Sequence, residues 1–264
     1  MAEARASVVN KAGRIMSGTE TPTIFHFTHW KAGSQWVRGV FEAACPGRVV
    51  EALPRNAHVL EAPLKHGAIY SPVYMRRQAF ESSEASRASA QVRLFVMRDL
   101  RDALVSWYFS LSVSHQDIPG TKISSLREAL RSRSFEEGML YLVRGDGAFT
   151  GLSGHAAIQT SWLDGADLLV RYEDLIEDEM RWFGEILARC GIEMAGDRLE
   201  EVVRSQSFES LSGRKRGEED VGAHQRKGVR GDWKNHFTPA IADAVKERFG
   251  SVLIETGYER DLSW

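Results

Sequence analysis

Residues 23–36, TIFHFTHWKAGSQW, constrain the fold of this chain more than any other segment. Ile24, Phe25 and Phe27 make a short, apolar, β-prone run. Lys31, Ala32, Gly33 and Ser34 follow as a small-residue loop, and residues 36–41 take up helical apolar spacing. A strand, a small loop carrying a lysine and a helix start together form a phosphate-sized anion site. The first amides of a helix lack intrahelical partners, glycine lets backbone come close, and lysine adds a full charge. The loop is not a Walker A sequence, because its lysine precedes the small residues instead of following them. Taken alone, the segment is equally a strand–helix turn with a surface lysine.

Further strands are predicted over residues 69–75, 92–97 and 167–172, besides 23–27. Helices are predicted over 35–44, 100–112, 126–130, 156–163, 179–190 and 241–249. Strands that alternate with helices call for an α/β fold, a central parallel β-sheet flanked by helices on both faces. Residues 82–90 read as an exposed helix or a loop, and 204–230, rich in Ser, Gly, Arg and Glu, as mostly a long loop. With no repeat and no linker, the expectation is a single domain over 21–264 after an N-terminal extension, 1–20.

A formal charge of −2 provides no general field for nucleic acid, so an anionic ligand must be held by local clusters. No run nears the roughly 20 apolar residues of a membrane span. The first residues lack the apolar stretch of a secretory leader. Cys45 and Cys190 make neither metal-ligand spacing nor a disulfide framework. Together these features lead to the expectation of a soluble protein in a reducing, cytoplasmic compartment, with no metal.

Three more pieces are suited to an anion. Arg98 ends a strand, where open α/β sheets place ligands, and Ser106 follows two helical turns on. A guanidinium binds two oxygens at once and a hydroxyl adds a neutral bond. Asp99 and Asp102 between them have the spacing of helix caps. At 167–175 a strand runs into Tyr172, Glu173 and Asp174, with the acids placed to cap the next helix and Tyr172 to line a strand-end pocket. At 225–237, Arg226, Lys227 and Arg230 alternate with Gly228 and Gly231, which lets backbone amides and cations face one anion.

In this order the pieces resemble the sulfotransferase family that uses 3′-phosphoadenosine-5′-phosphosulfate (PAPS). The matching motifs are Lys31-Ala-Gly-Ser-Gln-Trp36, Arg98-Asp-Leu-Arg-Asp-Ala-Leu-Val-Ser106, Tyr172-Glu-Asp-Leu175 and Arg226-Lys-Gly-Val-Arg-Gly-Asp-Trp-Lys234. The resemblance runs from Thr23 to the end of the chain and implies a P-loop-NTPase-like sulfotransferase fold. It further implies that Lys31, Ala32, Gly33, Ser34 and Gln35 hold the 5′-phosphosulfate, with Trp36 against the adenine. Arg98, Ser106, Arg226, Lys227 and Gly228 would hold the 3′-phosphate. Tyr172 and the stretch Gln206, Ser207 and Phe208 would complete the adenosine site.

Transfer of a sulfuryl group needs in-line geometry and stabilisation of charge on the leaving phosphate, a task suited to Lys31. An alcohol acceptor also needs a base. Familiar small-molecule members of the family carry a Lys-Thr-His-Leu-Pro segment after their second strand. Residues 68–75 here, AIYSPVYM, have no histidine. His115 is the first candidate, His66 the second and Glu61 the third. The acceptor is expected to be a small metabolite, a lipid or a saccharide, in a pocket built from 47–79 and 112–154 with Tyr70, Tyr74, Tyr141 and Phe149 as its aromatics. The alternative is a nucleotide-binding module that has lost catalysis. A P-loop kinase is disfavoured by the position of the lysine.

Overall fold

Period-2 alternation splits the strand residues between two cores. In a computed structural model, which describes residues 21–51, 60, 63–114, 123–146 and 149–264, Ile24, Val92, Leu94, Val96, Leu168 and Val170 point to one face of a sheet. Phe25, Phe27, Tyr70, Phe95 and Met97 point to the other. The strands are β1 (Thr23–Thr28), β2 (Ile69–Val73), β3 (Gln91–Met97) and β4 (Leu168–Arg171). They pair in parallel in the order β2-β1-β3-β4. Ile24 stands between Ile69 and Val92, and Leu94 beside Leu168.

Helix α1 (Ser34–Ala44) joins β1 to β2. After β2 come α2 (Arg77–Glu81) and a 3-10 turn (Glu84–Arg87), so 82–90 is neither the exposed helix nor a plain loop. Beyond β3 lie α3 (Leu100–Phe109), α4 (Ile123–Arg131), α5 (Phe135–Arg144) and α6 (Ser153–Ser161), and then β4. The chain ends with α7 (Tyr172–Glu177), α8 (Glu179–Arg189), α9 (Gly196–Ser205), α10 (Phe208–Ser212) and α11 (Pro239–Glu255). The first core face is covered by α1, α8 and α9 through Val37, Phe41, Phe183, Ile186 and Val202. The opposite face receives Phe80 and Trp162, and a further core joins α3, α5, α6 and α11 through Leu104, Leu142, Ala156 and Val245.

Two sequence expectations change. The helix expected over 100–112 leaves α-geometry at Phe109 and widens into a π-turn, Ser110–Ser114. Arg127 and Arg131 of α4 donate to the Leu111 and Ser112 carbonyls that this widening frees. The loop expected over 204–230 begins helically, because Ser207 caps α10 by accepting the Ser210 N–H. From 213 to 230 the chain has neither helix nor strand.

Because β1 leads through α1 to β2 on one side while β3 lies on the other, a crevice opens at the carboxyl ends of β1 and β3. Trp162 anchors the floor of the second core. Its ring stacks on Phe27 at 3.8 Å, its Nε1 donates to Met75 O at 2.8 Å, and it is fully buried. Trp162→Ala is expected to cost about 3–5 kcal/mol of stability, read as a lower urea midpoint at unchanged slope.

Candidate functional site

The Lys31 loop leaves β1 through two left-handed residues, Lys31 at φ 67° and Gly33 at φ 82°. A lysine in that region is strained, and the strain turns successive amides toward the crevice. Helix α1 then starts with no side-chain cap and no acid in its first turn, which leaves its positive end open. Gly33 is needed for its φ and for a second reason that the sequence did not disclose. A Cβ there would lie 2.7 Å from the Tyr172 ring. Ser34 accepts a hydrogen bond from the Tyr74 hydroxyl at 2.8 Å.

Burial pushes the Lys31 ammonium down to about 8, with Arg98 and Arg226 acting in the same direction. Among the described residues no carboxylate pairs with it. Arg98 lies beneath, with Nη1 donating to Lys31 O and Nη2 to Val229 O, both at 3.1 Å, and Tyr172 stacked at 4.3 Å. Its Nε is buried without a partner among the described residues. His29 accepts the Arg98 N–H on Nε2 at 3.1 Å, so its ring proton sits on Nδ1 and donates to Trp30 O. Burial lowers His29 to about 4, which keeps the imidazole neutral beside two cations.

Asp99 is the N-cap of α3, accepting the Arg101 N–H. Asp102 does something else. It is buried and accepts Gly231 N–H at 2.6 Å and Trp233 N–H at 2.9 Å, while standing 3.9 Å from Arg98 Nη2. It therefore ties the 225–237 segment to the strand end. Arg101 lies between the Trp233 and Trp264 rings at 4.1 and 4.4 Å, which braces the same junction. Arg226 donates to Glu219 and to Asp232, and Lys227 donates to Asp232 at 2.7 Å. Burial opposes the Asp232 charge, yet Lys227, Arg226 and Asn235 hold its carboxyl well below the usual range. Glu173, expected as a helix cap, instead accepts Asp99 N–H and the Tyr258 hydroxyl.

These segments enclose one cleft of about 540 Å³. Lys31, Gly33, Ser34, Gln35, Trp36, Arg98, Ser106, Tyr172, Gln206, Phe208, Arg226, Lys227 and Gly228 all line it. Ala32 is fully buried behind the loop, and the Ser207 hydroxyl is spent on capping α10, so neither side chain is in the wall. Phe208 packs against Gly228, where a Cβ would lie 2.6 Å from the ring. Arg216 is a cleft residue that the sequence did not single out. Its guanidinium covers Trp36 at 5.1 Å and donates to Gly228 O and Glu179. It sits in a charge-rich loop with no motif, so no local signal marks it.

The other end of the cleft is apolar, lined by Trp30, Tyr74, Trp107, Leu111, Leu126 and Phe149. Of the expected pocket aromatics, Tyr74 and Phe149 are there. Tyr70 lies in the core and Tyr141 stacks on the far side of Phe149. His66 is a correction. It is exposed and precedes β2, at the amino end of the sheet and opposite the cleft, and so cannot serve as a base there. His115 and Glu61 lie outside the described residues. Glu219, Asp232 and His236 bring possible ligand atoms within 4.8 Å of one another, but Arg226 and Lys227 already occupy Asp232.

The sulfotransferase domain family matches residues 84–257, and the chain belongs to it. Human sulfotransferase 2A1 is 26% identical over 191 residues, 67% of this chain and 60% of that protein. The 3-alpha-hydroxysteroid sulfotransferase of Cavia porcellus is 26% identical over 204 residues, 73% of this chain and 64% of its own length. The chain thus spans about 60% of the curated relatives it matches. Mouse sulfotransferase SULT7A1, complexed with PAP, shares the fold with a TM-score of 0.65 at 18% identity, over 88% of this chain and 85% of that one. Retinol dehydratase, in complex with androsterone and inactive cofactor PAP, follows at 0.51 and 12%, over 89% and 82%. Among the described residues no helix is long and apolar enough to cross a membrane.

Asp102→Ala leaves two partly buried amides without an acceptor. A loss of about 2–5 kcal/mol in denaturant unfolding is expected, with a smaller loss for Asp102→Asn, which keeps one acceptor oxygen.

Proposed function

We propose that this protein moves a sulfuryl group from PAPS to the hydroxyl or amine of a small-molecule acceptor. The observation that carries the reading is the convergence of Lys31, Arg98 and Arg226 on one cleft. The residues fit a doubly phosphorylated adenosine. Arg98 Nε is buried without a partner, Lys31 has no counter-charge among the described residues, and the uncapped start of α1 faces the same space. Bound PAPS supplies the activated sulfuryl group.

The chain's own residues supply the rest. Lys31 and the α1 amides neutralise charge that grows on the leaving 5′-phosphate, an interaction stronger in the transition state than before it. Arg98, Ser106, Arg226 and the Gly228 backbone select a 3′-phosphate. Trp36, Phe208 and Arg216 offer flat or cationic surfaces to an adenine. The apolar end, Trp30 to Phe149, suits an acceptor with a hydrophobic body, so a lipid-like alcohol or phenol fits better than a saccharide. Free Cys45 and Cys190 accord with a reducing, cytoplasmic setting.

PAP, the 3′,5′-bisphosphate product, is expected to raise the Tm far more than ATP or AMP at equal concentration. Equal shifts would remove the 3′-phosphate clamp from the reading. Lys31→Ala should lower transfer by about 10²–10³-fold while leaving most of the PAP-induced Tm rise. Unchanged turnover would take Lys31 out of the mechanism.

The pH dependence follows from the same lysine. In the free protein Lys31 loses its proton as pH rises through about 8, and an anion binds the protonated form. PAP affinity should therefore fall as pH rises through about 8, by no more than the modest loss that Lys31→Ala itself causes. Calorimetric titration of Lys31→Ala should show a flat profile over the same range.

A further inference from the structure

Helix α6 turns two buried polar side chains toward the ends of β1 and β3. Gln159 donates to Arg98 O at 3.2 Å. One helical turn earlier, on the same face, stands His155. It is fully buried, and among the described residues neither ring nitrogen meets hydrogen-bond geometry, although the Trp30 backbone lies close enough to favour its protonated form. Trp107, Trp30 and His29 surround it, with ring centroids at 4.5, 5.2 and 5.6 Å. An unpaired buried polar group costs about 1–3 kcal/mol, and an apolar ring would fill the same space without that cost. A histidine kept at such a site calls for a partner that arrives with a ligand.

Its surroundings say where that partner lies. Trp30 and Trp107, whose rings both pack on the imidazole, line the acceptor end of the cleft, so these indoles stand between the imidazole and that end. Trp30 is 41% exposed, stacked on Tyr74 at 5.4 Å, and sits on the loop beside Lys31. Lys31 is near enough for its charge to act on His155. Burial first, then His29 and Lys31, hold the ring well below the usual histidine range against an opposing pull from the Trp30 backbone, so it rests neutral and takes a proton only where a counter-charge offsets that shift. Negative charge on a neighbouring phosphosulfate offsets the cost of charging it.

We propose that His155 is the proton acceptor for the attacking hydroxyl, reached when the Trp30 indole moves off Tyr74 to admit the acceptor. This rests on the sulfotransferase reading above. The acceptor oxygen bonds to sulfur, the bond from sulfur to the 5′-phosphate oxygen breaks with its electron pair on the nucleotide, and the hydroxyl proton passes to a His155 ring nitrogen. The histidine missing after β2 is thereby replaced from α6.

The test compares phenols of graded acidity. 4-Nitrophenol is largely ionised in mildly alkaline buffer and needs no base, whereas 4-methylphenol does. His155→Gln should lower kcat for 4-methylphenol by about 10²–10⁴-fold and leave 4-nitrophenol nearly unchanged, with the PAP-induced Tm rise intact. His155→Asn serves the same purpose if the Gln variant does not fold. Equal losses for both phenols, or no loss, overturn the role of His155 and leave the cofactor reading standing. With PAP binding intact, failure of the unaltered chain to turn over any phenol also overturns it, because no phenol proton then reaches the imidazole. Absence of any PAP response in the unaltered chain overturns the sulfotransferase reading itself.

Discussion

Arg98 and Asp102, one helical turn apart at the start of α3, hold the site together. Arg98 reaches the carbonyls of Lys31 and Val229, and Asp102 takes the amides of Gly231 and Trp233. Two segments some 200 residues apart in sequence are thereby fixed to the end of one strand. All of these bonds are at least partly buried, where an unmade hydrogen bond costs more than a made one contributes. Movement of α3 relative to β3 would open both halves of the cleft at once. The Arg101 guanidinium between Trp233 and Trp264 restrains that movement.

The same geometry concentrates positive charge. Lys31, Arg98 and Arg226 meet with little opposing charge near Lys31, and two histidines beside them, His29 and His155, are kept neutral by burial. Glu219 and Asp232 restrain Arg226 from behind. Such a cluster destabilises the fold locally and is offset by the large apolar cores below it. It forms a site suited to a polyanion and poorly suited to a neutral ligand. The strained φ of Lys31 belongs to the same design, since relaxing it would turn the loop amides away from the cleft.

Beyond the cation cluster the cleft becomes apolar. That change from charged to aromatic walls over one cavity is what the proposed pairing of a nucleotide with a hydrophobic acceptor rests on. The family match over residues 84–257 takes in Arg98, Ser106, Tyr172 and Arg226 but not the Lys31 loop, and the shared fold concerns the scaffold. The acceptor end is built by Trp30, Tyr74, Trp107 and Phe149, which come from four separate stretches of chain.

Local pattern decided much of this protein. Short apolar, β-prone runs specified the four strands, and the Lys31, Arg98, Tyr172 and Arg226 motifs marked the strand ends and turns that meet in the cleft, because backbone propensity and loop chemistry act over a few residues. Long-range placement was not legible in the same way. Asp102 has the spacing of a cap, yet it serves a segment 129 residues away. His66 has the chemistry of a base, yet it lies at the wrong end of the sheet. Arg216 and His155 carry no motif and acquire a role only through the rings packed around them. Tertiary structure alone decided those, since burial and proximity are properties of the folded chain and no window of sequence contains them.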